Sequence, residues 1–358
     1  MPSIILARRR GMTLVELLVV VMILGLLSVT VLPTIGNTVG SRRNREAARN
    51  ASSFIARAQS RAINAIGPRG FMIQPLAADP AAAIDMYFAS APEHYGGEDD
   101  DSRAVVKPAD LNSRLESQLD VHFERAGIPD APTLDRLKDT DFCADGDAIQ
   151  FGGFGPWYRL VVTPLRDGSG PPAITMWADA SQSPRNLSWP RTGIGGLPFR
   201  ISRQPRRASS GVLQLQKGAA VDVAWSCLGS QPLGPVAGSP GIIRDPSKPV
   251  TFLFGPSGTP LEIVHSGGER TRVTEPLFLL IGSSQLSGND YVPSLSGDSG
   301  IDPEQREGTN WQYTDSAWLC IDNNSGVVKY GPVAPAATSV LASQRYVRQT
   351  VGLGVSER

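Results

Sequence analysis

Residues 8–33 read Arg8-Arg9-Arg10-Gly11-Met12-Thr13-Leu14-Val15-Glu16-Leu17-Leu18-Val19-Val20-Val21-Met22-Ile23-Leu24-Gly25-Leu26-Leu27-Ser28-Val29-Thr30-Val31-Leu32-Pro33. From Leu14 to Leu32 there are 19 residues with one charge, Glu16. As a helix rising about 1.5 Å per residue, that run crosses most of a bilayer. Three arginines precede it, so the positive-inside rule keeps them in the cytoplasm and sends the rest of the chain out. A secretory signal peptide has a shorter apolar run and a small-residue cleavage site after it. Here the chain continues from Leu32 into Pro33-Thr34-Ile35-Gly36-Asn37 without one. A plain signal anchor fits the length but leaves Glu16 unexplained. An ionised carboxylate costs about 2.5–3.5 kcal/mol at mid-membrane on insertion scales, and less near the end of the span. Cleavage after Gly11 supplies a partner, because it creates an ammonium group on Met12, four residues before Glu16.

Downstream, Ala48, Ala51, Ile55, Ala58, Ala62 and Ile66 recur at three- and four-residue spacing, with Phe54 beside them. Arginines and serines fall largely elsewhere, so 41–66 reads as an amphipathic helix with a small-residue face for a sheet. Gly67-Pro68 is its expected end. Continuous from Met12 to Ile66, this helix is about 80 Å long. Beyond it, apolar runs bounded by turn residues predict strands at 71–76, 84–89, 119–124, 148–151, 157–163, 173–178, 199–203, 212–216, 220–225, 250–254, 261–265 and 277–281. The runs 317–322 and 327–330 bracket Asn323-Asn324-Ser325-Gly326, a hairpin signal. Residues 90–147 and 283–310 read as polar, loop-like insertions. The expected fold class is α+β: a long N-terminal helix, then an antiparallel sheet or sandwich head with large loop insertions. The expected parts are a leader (1–11), a transmembrane helix (12–35), an amphipathic spine (36–66), an exported β-rich head (67–335) and a C-terminal tail (336–358).

Arg10-Gly11-Met12-Thr13-Leu14-Val15-Glu16 before an apolar helix resembles the prepilin N-terminal cleavage and methylation motif of type IV pilins and type II secretion pseudopilins. The resemblance implies that a prepilin peptidase cuts after Gly11 and methylates Met12, and that Glu16 serves assembly. It also implies that Gly25 and Pro33 loosen the helix. Met12 departs from the family's commoner phenylalanine. Ala58-Gln59-Ser60-Arg61-Ala62-Ile63 and the turn Phe254-Gly255-Pro256-Ser257-Gly258 are similar to the minor pseudopilins general secretion protein H and fimbrial protein T. The implied partners are the peptidase, other pilins, the inner-membrane assembly platform and membrane lipid. The implied place is the inner membrane, single-pass, with the leader in the cytoplasm and the head exported into a filament. The alternative is a filament-tip pilin that binds a secreted substrate, a surface or DNA through its inserted loops.

Lys+Arg and Asp+Glu balance at 34 each, which argues against bulk nucleic acid as a partner. Two basic clusters, Arg203-Gln204-Pro205-Arg206-Arg207 and Arg345-Tyr346-Val347-Arg348, offer phosphate contacts, Arg206 and Arg207 first; a solvated face is the simpler reading. His94, His122 and His265 have no metal-ligand spacing. The runs Glu98–Asp101 and Asp141, Asp145, Asp147 lack the spaced oxygens of a calcium loop. No nucleophile elbow or phosphate loop is present, so no catalytic residue, metal or cofactor is expected. Cys143, Cys227 and Cys320 leave room for one disulfide after export, with no spacing to choose the pair.

Overall fold

The computed structural model describes residues 14–97, 100–108, 118–125, 146–154, 156–163, 173–177, 195–236, 239–265, 267–288, 308–335, 337 and 339–352. Its first element is a single helix, α1 (Leu14–Ile63), about 75 Å long. Gly25 and Pro33 both lie inside it. Side chains along α1 are described for 14–26 and 42–63. Ala47, Ala48, Ala51, Phe54, Ile55, Ala58 and Ala62 are buried, the expected stripe with Ala47 added. Ile66 is not part of it and is 95% exposed. The helix stops at Ile63 because Asn64 turns its amide onto the Ser60 carbonyl (2.8 Å) and Ala65 N–H bonds Ala62 O. That tightened last turn swings Ile66 out before Pro68 is reached.

The stripe packs on a large antiparallel sheet. Its strands are β1 (Arg69–Pro75), β2 (Ala82–Ser90), β9 (Arg206–Gln214), β10 (Ala219–Leu228), β11 (Gln231–Pro232), β12 (Val250–Phe254), β13 (Pro260–His265), β14 (Glu269–Arg272), β15 (Leu277–Ser283), β16 (Ala317–Ile321) and β17 (Val328–Pro332). The order is β14-β13-β12-β1-β2-β10-β15-β16-β17, with β9 on β2 and β11 on β10. Side-chain alternation explains its two cores. Leu277, Leu279, Ile281, Ala317, Leu319 and Ile321 face the α1 side. Phe278, Leu280, Trp318 and Cys320 face the other side, with Trp311 and Val347. That second face is covered by α2 (Val340–Val351) and a 3-10 turn, Asn310–Gln312. Burial on both faces is why these strands read as unbroken apolar runs. Gly70 has no room for a side chain: a Cβ there would stand 1.7 Å from the Phe252 carbonyl oxygen of the neighbouring strand.

The chain between β2 and β9 builds a second antiparallel sheet from β3 (Ser102–Pro108), β4 (Gln118–Arg125), β5 (Ala148–Phe151), β6 (Tyr158–Thr163), β7 (Ala173–Trp177) and β8 (Phe199–Ser202), ordered β3-β4-β7-β6-β5-β8. Its own core includes Ile149, Leu160, Phe199 and Ile201. The strand expected at 119–124 is β4; the loop-like reading of 90–147 is corrected at β3, a strand it did not include. The stretch 336–358, expected as a tail, carries α2. Cys227 and Cys320 are buried and free. Each is registered opposite Phe278, on strands flanking β15. Two strand spacings, about 9.5 Å, separate them, beyond the reach of a disulfide. Burial pushes both thiols up to about 12. Cys143 lies outside the described residues.

Candidate functional site

The two ends of α1 have different surroundings. Among the described side chains from Leu14 to Leu26, every apolar residue is exposed, from 41% at Val20 to 81% at Leu14. A Cβ on Gly25 would meet nothing within 4 Å. A helix apolar all round is not a solvent-facing element of a water-soluble domain; it calls for a lipid or protein shell. Glu16 sits in the first turn, where a carboxylate faces the positive end of the helix dipole. Gly11 and Met12 lie outside the described residues. Among the described residues, no helix is long and apolar enough to cross a membrane.

At its other end α1 is held closely. Phe54 stacks on Phe88 at 4.2 Å, and the Arg61 guanidinium lies 3.8 Å from the same ring's centre. Gln59 donates its amide to the carbonyls of Gly258 (3.3 Å) and Gly326. Those carbonyls belong to the two Gly-containing turns singled out in the sequence. Gly258 has φ +78, and a Cβ there would press on Ile63. The turn sequences thus serve as sockets for the helix end.

Arg206 and Arg207 lie exposed on β9, registered against Ser90 and Ala89 of β2. The Arg207 guanidinium stands 3.3 Å from the centre of the Tyr87 ring, an intramolecular contact. Arg348 lies over Phe278 at 4.9 Å. The structure does not bring the two basic clusters onto one element. His94, on the exposed segment after β2, is 5.3 Å from the Trp157 ring. Partial burial, then Arg200, pulls its pKa down. His122 is on β4. Buried Asp147 accepts the Gln204 N–H (2.8 Å); Asp141 and Asp145 lie outside the described residues. Among the described residues, no three His, Cys, Asp or Glu side chains are grouped to hold a metal.

Sequence reasoning missed a cleft of about 1580 Å³ between the two sheets. One wall is apolar, with Ile66, Pro68, Pro92, Pro156 and Trp157. The facing wall is the β13–β14 hairpin. Arg270 pairs with Glu262 at 2.5 Å and donates to the Arg203 carbonyl at 3.2 Å; Arg244 reaches Glu269 at 3.6 Å. His265 lies on the cleft floor with its side chain 3% exposed. Its Nε2 meets Thr271 Oγ1 at 3.1 Å, while the buried Nδ1 has no hydrogen-bond partner and lies 3.8 Å from Glu269. Burial, then Arg244, brings its pKa down to about 4, so the ring is neutral near pH 7. Its lining converges from distant segments, so no contiguous motif announced it.

A comparison with family models finds one described as the prokaryotic N-terminal methylation motif, matching residues 6–32. No curated protein and no solved structure matches. The matched stretch contains Gly11, Met12, Glu16 and Gly25. It supports a pilin- or pseudopilin-like precursor processed at its N-terminus, in a family that is structural rather than enzymatic. It also suggests a membrane-anchored, filament-associated protein whose general partners are the prepilin peptidase and other pilin subunits.

Proposed function

We infer that this chain is a structural minor pilin or pseudopilin of a type IV pilus or type II secretion filament, resembling general secretion protein H and fimbrial protein T. The supporting observation is the division of α1 into an end apolar on all sides and an end buried on one side in the head. In this reading the prepilin peptidase cuts after Gly11 and methylates Met12. The helix is then held in the inner membrane as a single pass, with the head outside, until the assembly platform moves the subunit into the filament. There the Glu16 carboxylate neutralises the Met12 ammonium of a neighbouring subunit. A subunit out of register buries an unpaired charge, at a far greater cost than burying the pair. Gly25 and Pro33 loosen the helix for packing: glycine weakens helix propensity and proline removes one backbone donor.

The test is the N-terminal mass of the protein extracted from its native membrane. N-methyl-Met12 at the terminus is the expected result. An intact Met1, in cells with an active prepilin peptidase, overturns the filament reading. Arg206 and Arg207 are read as braces of the β2–β9 pair; salt-dependent DNA binding lost on their substitution would reverse that assignment.

A further inference from the structure

The cleft wall has a property that the filament reading does not use. The Val273 N–H donates to the Leu261 carbonyl at 3.1 Å. The register Ile263↔Thr271 and His265↔Glu269 continues from that bonded pair. Bonded and non-bonded pairs alternate in an antiparallel ladder, so the N–H and C=O of Arg270 and Arg272 point away from β13. β14 is the last strand on its side of the sheet, and both arginines line the cleft. Among the described residues no strand pairs with this edge, which therefore presents two donor–acceptor pairs about 6.8 Å apart, a spacing that another extended chain repeats. Edge strands are commonly guarded by charge. Here Arg270 is turned back onto Glu262 and the Arg203 carbonyl. The Arg272 side chain is exposed and has no carboxylate partner among the described residues.

The cleft also exceeds the roughly 300–1,000 Å³ usual for a small-molecule pocket. Its arginines outnumber its glutamates, four to three, and the Glu262 and Glu269 carboxylates already have arginine partners. That leaves a preference for an added carboxylate. The apolar wall opposite supplies the other half of an alternating pattern, with Trp157 41% exposed.

We propose that the cleft holds an extended polypeptide segment of a partner protein, which adds to the free edge of β14 as a further strand. It sets a carboxylate against Arg272 and an apolar side chain against Trp157. Backbone hydrogen bonds supply affinity and the alternating side chains supply selectivity. The site is made by the β13–β14 hairpin, the second sheet and the segment from Ala91 to His94. It does not depend on N-terminal processing.

The experiment uses the full chain in a non-ionic detergent and a random heptapeptide library displayed on phage. Selection on the wild type is counter-screened against Arg272→Pro. Proline there removes the outward N–H and the charge but no ladder hydrogen bond, and it holds Thr271 in the extended region that Thr271 already occupies. Sequences with an acidic and an apolar residue at adjacent positions, and so on opposite faces of the strand, should be enriched at least tenfold on the wild type. As synthetic peptides they should bind at least tenfold more weakly when the amides facing β14 are N-methylated. Arg272→Glu keeps the N–H and should exchange the acidic preference for a basic one, which covers the case in which the proline variant misfolds. Equal enrichment on wild type and both variants overturns the proposal, as does unchanged binding of the N-methylated peptides. Binding of maltoheptaose in place of any peptide would assign the cleft to glycans and likewise overturn it. An intact Met1 would defeat the filament reading and leave this result untouched.

Discussion

The two halves of α1 share one backbone conformation but serve different purposes. From Leu14 to Leu26 every apolar residue is exposed; from Ala47 to Ala62 a stripe of apolar residues is buried against a sheet. Helix propensity does not separate them, since leucine, alanine and arginine are all good formers. The distribution of apolar residues around the helix does. The head half has satisfied its hydrophobic surface inside the chain. The tip half leaves its own for other molecules, and Glu16 is the one charge placed within it. The largest effect on assembly should therefore come from Glu16. Glu16→Ala should still be cut after Gly11 yet enter filaments at least a hundredfold less, about 2.7 kcal/mol. Immunoblotting of sheared filaments against membrane-retained protein measures this. Normal incorporation would end the assembly role of that carboxylate.

The converse change tests the other half. Phe54 is buried, stacks on Phe88 and belongs to the main core. Phe54→Ala should cost about 3–5 kcal/mol of head stability through lost transfer energy and the cavity left behind. Membrane insertion and N-terminal cleavage should be unaffected. Urea denaturation of the detergent-solubilised protein, followed by tryptophan fluorescence, gives the first number, and N-terminal mass checks the second. A variant that melts normally would mean that the stripe is not what joins spine to head.

The same contrast explains what was legible beforehand. The tip and the stripe announce themselves through local periodicity, as do strands such as Val250–Phe254 and Leu277–Ser283, whose apolar runs admit few alternatives. Elements specified by pairing and not by an apolar run of their own were missed. β14 is Glu269-Arg270-Thr271-Arg272, polar throughout, and is a strand because it folds back on β13. β3 is specified by pairing with β4. α2 did carry a signal: Ser339 accepts the Ala342 N–H at 3.2 Å, and Gly352 ends the helix at φ 65. Ile66 was misplaced because periodicity does not register the competing Asn64 amide. The cleft has no contiguous sequence at all.

A third test uses pH, because the most strongly shifted carboxylate and imidazole both lie under the head. Fully buried Asp222 accepts from Asn310 Nδ2 (2.9 Å), Trp225 N and Gly288 N. Burial nevertheless raises its pKa to about 7. Its contribution to stability is present at low pH and is lost as pH rises from its ordinary value of 3.8 through about 7. His265 acts in the opposite direction. Its folded pKa is depressed to about 4, so its contribution is present above 6.5 and is lost as pH falls through about 4. Between about pH 4.5 and 6.5 the two slopes oppose, and wild-type stability should be nearly flat. His265→Gln removes one of them, so its stability should fall by up to about 1.4 kcal/mol per pH unit as pH rises through that window. Urea midpoints at half-unit intervals decide it, and a flat profile in the variant would show that Asp222 titrates at an ordinary value.

The smallest expected effect concerns the point where the buried half of α1 ends. Gln59 fixes that end by donating to two carbonyls, Gly258 O in the β12–β13 turn and Gly326 O in the β16–β17 turn. These turns lie on opposite sides of the helix terminus in strand order, with β1 and its neighbours between them. One side-chain amide thus ties together parts of the sheet far apart along the chain. Gln59→Ala leaves both carbonyls without that donor but keeps the alanine stripe intact. The cost should be about 1 kcal/mol, the usual net value of a hydrogen bond, because Gln59 is half-buried and water can take the place of its amide. Hydrogen exchange should locate the loss: faster exchange at Gly255 and Gly258, whose N–H groups close their own turn at 2.9 Å, with no change between Leu14 and Leu26. Faster exchange in the tip as well would mean that the two halves of α1 are coupled along the helix, and the division drawn between them would fail.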